Sequence, residues 1–289
     1  MNIAIIGQGA WGSALADVIS RTGHTPSFFG REIDLEKLSL CDALILAVPA
    51  QASREVLKKI TWEKPLLITA KGIEQTTGLF QSDVVEEFLP NVPWTILSGP
   101  TFAEEVMEKL PCAAVLASKN DKNSLFWSHI FSHTTFRTYL QHDPLGVQIG
   151  GALKNVIAIA SGILTGLGGS ENARAALLTR GLAEIVRFGT AYGAKEKTFM
   201  GLSGVGDLIL TATSEKSRNF SLGLHIGEKQ MDTSKGVKEG VFTVSAVIKK
   251  AKEKDIFMPI SQAVHQILTE KINPEKALQD LMTRPPKFE

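Results

Sequence analysis

The chain has 289 residues, and its 31 Lys and Arg against 30 Asp and Glu leave a formal charge of +1. That balance excludes a dedicated nucleic-acid binder, which carries a basic excess to neutralise phosphates, but it leaves room for a local anion site. The length suits about two domains, and 44% hydrophobic residues build cores without disulfide or metal staples. Cys41 and Cys112 are the only cysteines, so neither a disulfide framework nor a CxxC zinc site is expected, only two buried thiols in a reducing compartment. The opening MNIAIIGQGAWG has no basic leader and its apolar run is broken by Gly7. A cytoplasmic location without membrane insertion is the expectation.

From the N-terminus, short apolar runs precede Gly or Pro turns and then stretches of helical period. The runs are Ile3–Ile6, a weaker Ser27–Phe29, Ala43–Val48, Leu66–Ala70, Thr95–Leu97 and Ala113–Ala117. Their continuous apolarity predicts strands buried on both faces, hence a mostly parallel sheet covered by helices. Helices are predicted over Gly12–Arg21, Gln51–Ile60, Phe102–Lys109 and Lys122–Ser132. Only 13 residues separate Phe29 from Ala43, barely enough for a crossover with its own helix, so the second βαβ unit is predicted to be trimmed.

Beyond Asp143 the strand-like runs stop. Gly146–Gly166 is apolar all round, as a helix buried in a domain core is. Asn172–Gly193, Val244–Lys254 and Pro259–Glu270 also read as helical. The division is therefore a Rossmann-like α/β domain over 1–142 and an all-α domain over 143–289, with RPPKFE at the end a loose tail.

Gly7-Gln8-Gly9-Ala10-Trp11-Gly12 follows a strand and opens a helix, the context in which GxGxxG holds the pyrophosphate of a dinucleotide. Gly7 makes the tight turn, Gly9 admits the pyrophosphate to the backbone, and Gly12 packs helix against strand. Arg31 closes the second strand, where a guanidinium pairs with a 2′-phosphate, so NADP is favoured; the adjacent Glu32 is the alternative, a ribose ligand for NAD. Lys71-Gly72 and Ser98-Gly99-Pro100-Thr101 stand at later strand ends, where open α/β sheets bind ligands.

In the second half, Lys154 and Asn155 interrupt an apolar helix. A lysine there either snorkels to water or faces a polar cavity, where desolvation would suit it to proton transfer. Gly201–Leu208 is a Gly-rich turn delivering Asp207, either a helix N-cap or a site carboxylate. Ser217-Arg218-Asn219 then offers a cation and two hydrogen-bonding side chains, a set suited to a phosphate monoester or to an ordinary surface. His129 and His133 lie four apart without a third ligand at suitable spacing, and no metal is expected.

Taken together these segments resemble the bacterial NAD(P)-dependent glycerol-3-phosphate dehydrogenase family. The matching stretches include GQGAWGSALA at 7–16, AKGIE at 70–74, LSGPTFAEEV at 97–106, GALKNVIAIASGI at 151–163, GLSGVGDLILT at 201–211, SRNFSLG at 217–223 and VKEGVFT at 237–243, in the family order across nearly the whole chain. The resemblance implies reversible NAD(P)H-dependent reduction of dihydroxyacetone phosphate to sn-glycerol 3-phosphate for glycerophospholipid synthesis. It implies Lys154 as general acid and base, Lys71 polarising the carbonyl, and Asp207 orienting Lys154. The implied substrate set is Lys71, Gly99, Thr101, Lys154, Asn155, Asp207, Ser217, Arg218 and Asn219. The implied cofactor set is Gly7, Gly9, Ala10, Trp11, Gly12, Arg31, Lys71, Ala103, Arg218, Val237 and Glu239.

The chain departs from the family after Arg31, where Glu32–Cys41 replaces a longer segment beside the adenine pocket. A related β-hydroxyacid dehydrogenase, with a carboxylate grip in place of a phosphate one, and a non-catalytic NADP(H)-sensing module are the other readings. The apolar helices of the second half offer a surface for a homodimer.

Overall fold

The computed structural model describes residues 1–231 and 236–285. Seven strands form one sheet in the order β2-β1-β3-β4-β5-β6-β7: β1 (Asn2–Ile6), β2 (Thr25–Phe29), β3 (Ala43–Leu46), β4 (Leu66–Ile68), β5 (Trp94–Ser98), β6 (Cys112–Ala117) and β7 (Phe136–Gln141). Strands β1 to β5 are mutually parallel, and β6 runs antiparallel to β5 and parallel to β7. The helices of this half are α1 (Ala10–Arg21), α2 (Leu35–Ser39), α3 (Ser53–Leu57), α4 (Gln81–Phe88), α5 (Ala103–Met107) and α6 (Asp121–Ile130).

The apolar runs are continuous because both faces of the sheet are covered. Ile3 and Ile5 of β1 join α1 and α6 through Leu15, Val18 and Trp127, while Ala4 and Ile6 face α3 and α4 through Leu57, Val84 and Val85. Strand β7 was not among the predicted elements. Its FRTYLQ mixes exposed Arg137, Tyr139 and Leu140 with a buried Phe136, the texture of an edge strand. Helix α4 was likewise unpredicted, and the helix predicted over Gln51–Ile60 is a 3-10 turn at Ala50–Ala52 followed by the short α3.

The trimmed crossover is present as the five-residue α2, capped by Asp34 Oδ1 accepting from Lys37 N–H. Phe28, Leu35 and Leu40 around it are exposed, and β2 forms the sheet edge. Thr25 N–H donates to the Met1 carbonyl and Phe29 C=O accepts from Gly7 N–H, so these residues face β1. Pro26 therefore falls on the outer side, where its missing donor blunts the edge.

The second half comprises α7 (Pro144–Gly166), α8 (Glu171–Ala191), α9 (Asp207–Ala212), α10 (Arg218–Gly227), α11 (Glu239–Glu253), α12 (Pro259–Leu268) and α13 (Pro274–Met282). Helix α7 is long and apolar enough to cross a bilayer, yet all but Leu145 and its last two residues are buried here, as the axis of the helical core. Asp143 sets its start: Oδ1 accepts from Gly146 N–H, while Oδ2 accepts from Lys195 N–H and the Thr198 hydroxyl. Gln148, one turn on, exchanges hydrogen bonds with Ser82 of α4 and ties α7 to the sheet domain. The tail expected over 284–289 lies, beyond Pro285, outside the described residues.

Candidate active site

The cleft is assembled at the carboxyl ends of the parallel strands, against α7, α9 and α11. At its floor, Gly7 follows β1 with φ of 118°, and a Cβ there would lie 2.4 Å from the Ala47 carbonyl oxygen; one on Gly12 would lie 2.1 Å from Gly7 O. Only glycine permits that turn and that strand-to-helix approach. Gly9 is different, since a Cβ added to it meets nothing within 4 Å. It also caps α1 without any side-chain hydrogen bond, so no capping side chain satisfies the first amides of the helix. A helix N-terminus bare of side chains fits a pyrophosphate.

Lys71 follows β4. Its Nζ donates to Gly99 O at 2.7 Å, after β5, and to Asp207 Oδ2 at 2.7 Å. Lys154, from the middle of α7, donates to Asp207 Oδ1 and, at 2.8 Å, to Thr211 Oγ1. Both lysines thus share one carboxylate at the start of α9, with the Thr211 hydroxyl also 3.2 Å from Oδ1. Asn155 donates to the Lys71 carbonyl at 3.0 Å and so fixes the loop that carries Lys71.

Burial sets the electrostatics. Desolvation pulls Lys154 down to about 7, with Lys71 adding repulsion and Asp207 opposing both. Burial alone would raise Asp207, but the two ammonium groups hold it below the usual carboxylate range. The choice left open for Lys154 is decided: it is buried and faces the polar cluster. Thr211 was missed by motif reading, although its place four residues after Asp207 on one helix puts the two side chains together.

Glu239 opens α11 and reaches the other side of the cleft. Its Oε1 accepts from Ala50 N–H at 2.9 Å, its Oε2 lies against Gly72, and that oxygen is buried without a hydrogen-bond partner. Burial raises its carboxyl, against the Ala50 amide and the nearby Arg218. Glu239 thus leaves one buried acceptor unsatisfied beside Gly72, in the loop after β4.

The remaining residues divide into two groups. Ser217 caps α10 through Oγ, which accepts from Phe220 N–H, and Asn219 Oδ1 accepts from Gly240 N–H at 3.1 Å, bracing α11. Arg218 is exposed beside Gly236. Thr101 donates to Gly99 O. Trp11 packs on Phe136 with ring centroids 6.3 Å apart, and Ala103 opens α5 on the same face. Val237 and Arg31 are exposed, and Arg31 makes no ion pair with the described residues. His133 follows α6 at φ of 59°, so the two histidines do not share a helix face.

A glycine-rich βα turn opening a doubly wound sheet, faced by a lysine–carboxylate cluster on a helical domain, defines a two-domain dinucleotide-dependent dehydrogenase. Residues 143–279 match the family described as NAD-dependent glycerol-3-phosphate dehydrogenase C-terminus, and residues 2–39 and 32–124 match its N-terminus. The split in the second match falls around α2, at the shortened segment. A glycerol-3-phosphate dehydrogenase (NAD(P)+) of Rhodospirillum rubrum is 41% identical over 327 aligned positions, covering 100% of this chain and 94% of that protein. One from Sulfurimonas denitrificans is 42% identical, covering 97% and 99%. The crystal structure of glycerol-3-phosphate dehydrogenase from Coxiella burnetii superposes with a TM-score of 0.92 at 33% identity, covering 98% of this chain and 99% of that one. The chain belongs to the NAD-dependent glycerol-3-phosphate dehydrogenase family.

Proposed function

We propose that the cleft reduces dihydroxyacetone phosphate to sn-glycerol 3-phosphate with NAD(P)H, reversibly, as a supply for glycerophospholipid synthesis. The observation that carries this reading is the buried carboxylate of Asp207 holding Lys154 and Lys71 together at the strand ends. The reduced nicotinamide supplies the hydride to C2 of the substrate. Lys154 gives its ammonium proton to the ketone oxygen, so the C=O π bond becomes a C–O–H group and the lysine is left neutral until solvent reprotonates it. Lys71 lies between the two domains and polarises the same oxygen.

Asp207 and Thr211 keep the Lys154 ammonium aimed into the cleft. Arg218, with Asn219 beside it and Ser217 at the cap, takes the phosphate by charge-assisted hydrogen bonds. Gly99, Thr101 and Asn155 shape the substrate side. Gly7, Gly9, Ala10, Trp11 and Gly12 hold the pyrophosphate end of the cofactor, and Ala103, Val237 and Glu239 line the rest of its path. Arg31 selects NADP over NAD through the 2′-phosphate; its exposure at the end of β2 without an ion pair among the described residues supports that role.

Two unpaired cysteines accord with a reducing, cytoplasmic setting. A homodimer through the helical domain accords with the exposed Met200 and Ile209, and sedimentation equilibrium tests it. The activity is tested by absorbance at 340 nm with dihydroxyacetone phosphate and NADPH or NADH in parallel. Substrate-dependent loss of signal is the expected result. Cofactor binding without turnover would move the assignment to a sensing module.

A further inference from the structure

Residues 69–80 join β4 to α4 without a helix or strand, and Lys71 sits near their start. Such a segment must find partners for its backbone groups outside any ladder, and here they come from both halves of the chain. From the helical half, Asn155 of α7 donates to the Lys71 carbonyl, and Thr243 of α11 accepts from Ile73 N–H at 3.4 Å. From the sheet half, the Gln51 side-chain amide closes on two backbone groups at once. Its Nε2 donates to Ile73 O at 2.8 Å, and its Oε1 accepts from Gln75 N–H at 2.9 Å. The fit is close: a Cβ on Gly72 would lie 2.8 Å from the Cβ of Ala50, the neighbour of Gln51.

Between Ile73 and Gln75 stands Glu74, which ends the AKGIE stretch and is buried. Arg54, three residues after Gln51, grips its carboxylate as a fork, with Nε 2.9 Å from Oε1 and Nη2 3.0 Å from Oε2. The Thr77 hydroxyl donates to Oε2 as well. Glu87 of α4 accepts from both Nη atoms of the same guanidinium, at 2.6 and 2.9 Å. Burial works to raise the Glu74 carboxyl, but Arg54 and Thr77 hold it below the usual carboxylate range. A buried carboxylate in a loop is costly unless such hydrogen bonds offset its desolvation. What this one fixes is the backbone three residues after Lys71, whose Nζ has to meet both Gly99 O and Asp207 Oδ2.

We propose that Gln51 and Arg54 are positioning residues for Lys71. By clamping residues 73–75 from the sheet side, against Asn155 and Thr243 on the other, they hold the ammonium where it meets Asp207 and the substrate ketone. The proposal rests on the polarising role assigned to Lys71.

The test pairs steady-state kinetics with hydrogen exchange on the full chain. Gln51→Ala leaves the ion pairs of Arg54 in place and so spares the fold. Its kcat for reduction should fall about tenfold or more, a misplacement of about 1 Å being worth up to roughly 10²-fold, with the KM for NADPH changed less than about twofold. Arg54→Lys keeps the cation but loses the fork, and should lower kcat in the same way. In a Lys71→Ala background, Gln51→Ala should lower kcat by less than about twofold further, because residues acting through one group are not additive. Multiplicative losses, or an unchanged kcat in Gln51→Ala, would overturn the proposal. Amides of residues 71–75 should exchange about tenfold faster in Gln51→Ala, as local opening becomes easier, and unaltered exchange would overturn it equally. A wild type that leaves NADPH unoxidised would overturn the assigned reaction instead, and the exchange result would still decide whether the clamp holds the loop.

Discussion

Gly162 of α7 and Gly223 of α10 meet backbone to backbone: a Cβ on Gly162 would lie 2.0 Å from the Phe220 carbonyl oxygen and 3.0 Å from the Gly223 Cα. The contact is reciprocal, since a Cβ on Gly223 would lie 2.1 Å from Ile159 O, and Gly166 with Gly227 repeats it one turn further. Helix α10 begins with Arg218 and Asn219, so this seam sets where the side chains proposed to hold the phosphate stand relative to Lys154 on α7. Gly162→Ala should push α10 outward at a cost of about 1–3 kcal/mol, typical of overpacking. Thermal unfolding should then shift down by several degrees, and the KM for dihydroxyacetone phosphate should rise. An unchanged melting temperature would show slack in the seam.

Lys154→Ala should lower kcat by about 10²- to 10⁴-fold, the usual worth of a general acid, with NADPH affinity nearly unchanged by fluorescence titration. The proton has a pH signature. With Lys154 brought down to about 7, kcat for reduction should fall as pH rises through that value, because reduction uses the ammonium. Oxidation uses the amine and should rise over the same range. Stability carries the matching sign: between about 7 and 10.5 the unfolded chain holds a proton here that the folded chain does not, so Lys154 makes folding more favourable as pH rises across that window.

Thr211→Val keeps the shape of the side chain and removes the oxygen that accepts from Lys154. That hydrogen bond favours the charged lysine, so its loss should move the reductive pH limb to lower pH and reduce kcat, with little change in KM. A limb that stays in place would reduce Thr211 to packing.

Arg218→Ala removes the cation assigned to the substrate phosphate. A charge-assisted hydrogen bond is worth about 1.5–3 kcal/mol, so the KM for dihydroxyacetone phosphate should rise roughly tenfold to a hundredfold. Unaltered saturation by substrate would remove Arg218 from the phosphate site.

Arg31→Ala should raise the KM for NADPH while leaving that for NADH where it was, measured by initial rates at fixed substrate. Equal effects on both cofactors would show that the shortened segment no longer reads the 2′-phosphate.

Much of this molecule is legible before any coordinates. Gly7 and Gly12 announce the βα turn because only glycine tolerates those backbone contacts, and the runs at β1, β3 and β4 are continuous because helices cover both faces. The brevity of the crossover after Phe29 is a matter of counting, and α2 is as short as that count requires. Short-range forces write such features into neighbouring residues. Where they fail is equally physical: β7 sits at an edge with only Phe136 buried, so it carries neither a continuous nor a cleanly alternating pattern, and the antiparallel turn of β6 depends on which strand edge is free, a fact of the assembled sheet.

The chemistry of the site belongs to the second kind. Residue type marked Lys71, Lys154 and Asp207 as candidates, but Lys71 and Asp207 are 136 positions apart and meet only because α9 closes over the strand ends. The loss of water around Lys154, which brings its proton within reach of neutral pH, is produced by every element packed around α7 at once. Turns and periodicities are decided within a few residues; desolvation and charge pairing are decided by segments far apart in the chain, and these are what make the fold reactive.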